Sequence, residues 1–84
     1  MASGQQQSRR LSADEKARLV DILEQGSRAA GYNDDRWTLE RVADVIASNF
    51  AVFYTGSGAR SVLRALGYTY EGKGRRGRWV RMRV

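Results

Sequence analysis

A mainly α domain of three helices followed by a C-terminal β-hairpin is predicted by three features of the sequence. Apolar residues recur at a 3.6-residue period in three successive segments up to Leu66; beyond Gly67 the period drops to two; and a loop with three glycines and three cations divides this second pattern. Eighty-four residues with 42% hydrophobic content supply one core and no material for a second.

The start of the chain, residues 1–10, is polar and carries three consecutive glutamines, so it reads as a disordered leader, native or added, ahead of a domain at 11–84. Ser12-Ala13-Asp14-Glu15 has the form of a capping box, in which hydroxyl and carboxylate each satisfy one orphan N–H at a helix start. The first helix then runs to about Gln25 with Leu19, Val20 and Leu23 on one face and Ile22 beside them, and Gly26 ends it. From Gly26 to Trp37 the composition is that of a loop: Gly31, Asn33, Asp34 and Asp35 supply turn chemistry, and Tyr32 and Trp37 anchor it from beneath.

Thr38 is an N-cap for a second helix, about Leu39 to Asn49, whose inner face is Leu39, Val42, Ala43, Ile46 and Phe50. Its outer face of Glu40, Arg41, Asp44 and Ser48 is mixed in sign and reads as ordinary solvated surface. Val52, Phe53 and Tyr54 are a short β-favouring stretch, after which a third helix, about 57–66, opens through a Thr55 or Ser57 cap and stops at Gly67. Gly56 and Gly58 loosen its first turn, at about 1 kcal/mol per helical glycine. Tyr68 and Tyr70 then alternate with Thr69 and Glu71, and Val80, Met82 and Val84 with Trp79, Arg81 and Arg83. The loop between them, residues 72–77, is expected to be flexible and strongly basic.

The net charge of +6 is localised. Residues 1–71 hold nine basic and nine acidic groups, whereas 72–84 hold Lys73, Arg75, Arg76, Arg78, Arg81 and Arg83 and no acid, an asymmetry that suits a polyanionic partner. The third helix carries a second cationic surface. Ala59, Val62, Leu63 and Leu66 make its buried stripe, and opposite them stand Ser57, Arg60, Ser61 and Arg64. Arginine forks onto guanine or phosphate, and serine is small enough to let a helix enter the major groove.

A capped helix, a short turn and a cationic helix form a helix-turn-helix, and a basic hairpin directly after it stands where a wing would reach the adjacent backbone or minor groove. The predicted fold is therefore a three-helix winged helix-turn-helix, and the expected partner is double-stranded DNA. Arg60 and Arg64 would read bases, supported by Thr55, Ser57 and Ser61, while Lys73, Arg75, Arg76 and Arg78 would clamp the backbone. One such domain reads only a few base pairs, so a homodimer or a protein partner would add specificity.

Residues 36–46, 50–54 and 62–68, ending in Leu63-Arg64-Ala65-Leu66-Gly67-Tyr68, resemble the winged helix-turn-helix in the amino-terminal DNA-binding region of mariner-like insertion-sequence transposases. The leading Leu11-Ser12-Ala13-Asp14-Glu15 fits the same pattern. The resemblance implies that Thr38 opens the supporting helix and that Thr55 to Leu66 holds the recognition element. It does not extend to the basic hairpin 72–84, and the chain has no room for a transposase's acidic catalytic domain.

Other classes fit the composition less well. With no cysteine or histidine there are no disulfides, thiolates or zinc-finger spacings, and the carboxylates are dispersed, so neither metal nor cofactor is expected. No nucleophile has a base at a fixed offset and no phosphate-cradling glycine motif follows a strand, so neither an enzyme nor a small-molecule substrate is expected. No apolar run approaches membrane-spanning length, and the expected setting is intracellular, cytoplasmic or nucleoid-associated, in transcription regulation, recombination or DNA architecture. Two alternatives remain: a winged helix that meets an acidic protein with its basic wing, and RNA or single-strand binding with Tyr68, Tyr70 and Trp79 as stacking platforms.

Overall fold

A computed structural model describes residues 10–74 and 77–82. The expected leader, Arg75 and Arg76 of the loop, and the last two residues of the expected second strand lie outside the described residues, except that Arg10 is included. In chain order the elements are α1 (Ala13–Gln25), a 3-10 turn (Arg28–Ala30), α2 (Leu39–Phe50), α3 (Gly56–Ala65), β1 (Tyr68–Glu71) and β2 (Arg78–Arg81).

The capping box at α1 forms in full: Glu15 N donates to Ser12 Oγ at 3.2 Å and Ser12 N to Glu15 Oε1 at 2.9 Å. Leu19 and Leu23 are the buried residues of this helix, with Ile22 packed at the edge of the core. Val20, expected on the same face, is only half-buried, because at 100° per residue it stands beside the stripe rather than in it. Thr38 caps α2 by accepting from Arg41 N, and Val42, Val45, Ile46 and Phe50 are buried on its inner side.

Ala51 ends α2 in the left-handed region at φ 56°, and the connection to α3 is completed by Val52 to Thr55. The β-favouring stretch at 52–54 forms no strand. Its alternation is real, with Val52 fully buried and Phe53 57% exposed, but a short connection between two packed helices has no neighbouring strand to pair with. The buried residues of α3 are Ala59, Val62 and Leu63, with Leu66 packed against the core as its C-cap residue and Gly67 following at φ 89°.

β1 and β2 are antiparallel, with Tyr68 opposite Arg81, Thr69 opposite Val80, Tyr70 opposite Trp79 and Glu71 opposite Arg78. Tyr68 and Trp79 turn inward and are almost wholly buried. The alternating set Val80 and Met82 faces the other way, Met82 being 58% exposed, since the larger indole gains more from burial. Among the described residues, three hydrogen bonds tie the strands to the helical part: Trp79 N donates to the Trp37 carbonyl at 3.4 Å, and Glu24 Oε2 on α1 accepts from Tyr68 Oη and Arg81 Nη1, both at 3.2 Å. Three helices followed by an antiparallel two-stranded hairpin make a winged helix, with Leu11, Leu19, Trp37, Ile46, Val52, Leu63 and Trp79 in one core.

Candidate nucleic-acid interface

The solvent face of α3 is set by its cap and its stripe. Thr55 Oγ1 accepts from Gly58 N at 3.2 Å, which resolves the choice of cap in favour of Thr55 over Ser57 and starts the helix at Gly56. Burial of Ala59, Val62 and Leu63 then leaves Ser57, Arg60, Ser61 and Arg64 exposed. Arg60 and Arg64 are one turn apart, so both guanidinium stems rise along the same edge.

That edge borders an open groove of about 900 Å³ between α3, the start of α2 and the hairpin. Gly56, Arg60 and Arg64 line one side; Arg36, Thr38, Leu39 and Glu40 line the second; Thr69, Tyr70, Gly74, Gly77 and Trp79 line the third. The fold thus brings the two helix arginines together with the backbone of the hairpin loop. Among the described residues neither Arg60 nor Arg64 forms an ion pair. Thr55, Ser57 and Ser61 are exposed near this edge without lining the groove. Lys73 and Arg78 are exposed on the hairpin, Arg78 on the opposite face from Trp79, and Arg75 and Arg76 lie outside the described residues.

Two charged lining residues, Arg36 and Glu40, escaped the sequence reading. Arg36 had no periodic pattern to mark it, and Glu40 was assigned to a solvated helix face. Both flank the Thr38 cap, and only the packing of α2 on α3 turns that helix start toward Arg60 and Arg64. Among the described residues lining the groove, Glu40 is the single carboxylate.

The segment before α2 is held from below. Arg41, expected in solvent, instead donates from Nη1 to Asp34 Oδ1 at 2.7 Å, to the Arg36 carbonyl at 2.8 Å and to Ser27 Oγ at 3.2 Å, and its guanidinium lies 4.7 Å from the centre of the Tyr32 ring. The backbone N–H of Arg36, and then Arg41, hold the Asp34 carboxyl below its ordinary range. The Trp37 indole N–H donates to the Leu23 carbonyl at 3.0 Å, so Trp37 is a core residue with a satisfied polar edge.

Gly58 has a packing explanation. A Cβ there would come within 2.8 Å of Tyr54 Cδ1 and 3.2 Å of Tyr54 Cβ, so glycine lets the first turn of α3 sit on that ring. At Gly56 a Cβ would meet nothing within 4 Å. Of the three expected stacking platforms, Tyr68 and Trp79 are almost wholly buried, whereas Tyr70 is 40% exposed.

No group of three acidic, histidine or cysteine residues that could hold a metal occurs among the described residues, and none of their helices is long and apolar enough to cross a membrane. Comparisons with curated proteins and with solved structures find no match. Residues 33–71, from the loop before α2 to the end of β1, match the family model of the winged helix-turn helix.

Proposed function

We propose that the chain binds double-stranded DNA, with α3 in the major groove and the hairpin on the flanking backbone or minor groove. The observation that carries this reading is the shared groove: Arg60 and Arg64, without acidic partners among the described residues, open onto the same space as the hairpin loop. In this reading the two arginines contact base edges or phosphates, Thr55, Ser57 and Ser61 support them, and Lys73, Arg75, Arg76 and Arg78 meet phosphates without sequence preference. The match to a winged helix-turn helix over 33–71 supports it independently. The DNA-binding unit is residues 11–84, since Leu11 and Trp79, both beyond the matched segment, belong to the same core. The resemblance to mariner-like transposase amino termini, and a role in transcription regulation or recombination, belong to this proposal and not to the fold.

Titration with mixed-sequence duplex DNA at several salt concentrations tests the reading. With about four cations each replacing a counterion, log K should fall against log salt with a slope near −3.6. Arg60→Ala and Arg64→Ala should each cost about 1–3 kcal/mol on a selected site. No complex at low salt, or a slope near zero, would overturn it.

A further inference from the structure

We propose that Tyr70 is the positioning residue that holds Gly74 and Gly77 of the hairpin loop together and so presents Lys73 beside them. A loop with three glycines in six residues is costly to order when it binds, because glycine has the most backbone freedom to lose. The structure places one aromatic ring against both sides of that loop. The Tyr70 hydroxyl donates to the Gly74 carbonyl. Its ring lies so close over Gly77 that a Cβ there would strike it, and the same Cβ would stand 2.6 Å from the Glu71 carbonyl oxygen. Gly77 N in turn donates to the Gly74 carbonyl at 3.4 Å, closing the loop on itself.

The ring is itself fixed to the core. It packs edge-on against Trp79, its cross-strand partner, with centroids 5.4 Å apart, and Trp79 is buried and bonded through its backbone to Trp37. A continuous chain of contacts therefore runs from the core through Trp79 and Tyr70 to Gly74, the neighbour of Lys73. Tyr70 is 40% exposed, and covering Trp79 would need only a phenyl ring. The hydroxyl's contact among the described residues is the loop carbonyl, which is what distinguishes a positioning role from plain packing. The consequence for binding rests on the DNA reading above; the order of the loop does not.

The experiment uses the full chain and Tyr70→Phe, which keeps the ring and removes the donor. In the variant, heteronuclear NOE values at the Lys73, Gly74 and Gly77 amides should drop while those of the three helices stay unchanged. Affinity for mixed-sequence duplex should fall about fivefold through lost preorganisation. Lys73→Ala should cost about fivefold in the wild-type background and under about twofold in Tyr70→Phe, a coupling that uniform destabilisation would not produce. Gly77→Ala should displace the ring and reproduce the loss of loop order. Unchanged loop amides in Tyr70→Phe, or the same Lys73→Ala cost in both backgrounds, would overturn the proposal. If the wild-type chain binds no duplex at low salt, the DNA reading falls and the amide measurement alone decides the role of Tyr70.

Discussion

Glu24 uses one carboxylate oxygen to hold both Tyr68 and Arg81, and this is the side-chain link by which α1 grips the hairpin. Burial, and then the neighbouring Glu24 charge, push the Tyr68 phenol up to about 12 from its ordinary value near 10. Folding therefore favours the neutral phenol, so its contribution is complete below about pH 10 and is lost as the pH rises through about 12. Stability measured by urea titration should fall across that window, and Tyr68→Phe should make the fall shallower. An equally steep fall in the variant would show that the titrating group lies elsewhere; Tyr32, raised chiefly by burial and then by Asp44, is the next candidate and survives in that variant. Arg41 illustrates the limit of residue-by-residue reading. Its place on the polar side of α2 was legible, but its three acceptors come from Ser27, Asp34 and Arg36, and no periodicity encodes where a loop returns.

The helices themselves were written locally. Ser12 with Glu15, Thr38 and Thr55 start them, Gly26 and Gly67 stop two of them, and the observed ends of α2 and α3 differ from the expected ones by a single residue. Local propensity failed at 52–54, where β-branched and aromatic residues form a connection with Val52 buried and Phe53 exposed rather than a strand. It also fails at the first turn of α3, and there the two glycines should behave oppositely. Gly56→Ala has open space and should leave stability unchanged or raise it by up to about 1 kcal/mol. Gly58→Ala would force Tyr54 aside, and Tyr54 Oη accepts from Leu11 N at 3.3 Å, so the strain should outweigh the propensity gain and lower stability by about 1–3 kcal/mol. Thermal denaturation of the two variants separates these signs, and stabilisation by Gly58→Ala would refute the packing account.

At the scale of the molecule, charge and topology act together. The excess positive charge lies in the C-terminal third, acids and bases cancel in the first half, and the groove forms where α3 and the described part of the hairpin meet the start of α2. Glu40 is an acid placed on that boundary, and near a polyanion it lowers affinity unless a base amino group donates to it. On the proposed reading, Glu40→Gln should tighten mixed-sequence duplex binding about two- to fivefold at low salt, with the gain shrinking as salt rises. Weaker binding to every sequence would instead mark Glu40 as a support for the helix start.

The sequence by itself determined the three helices, the caps of the first two, the hairpin and the separation of charge, because each depends on residues a few positions apart and on propensities that act over one or two turns. Only the tertiary structure decided that Arg36 and Glu40 join Arg60 and Arg64, that Trp79 bonds back to Trp37, and that Tyr70 reaches both Gly74 and Gly77. These outcomes depend on which distant surfaces pack together, and the free energy that selects them is shared over the whole core rather than stored in any one segment.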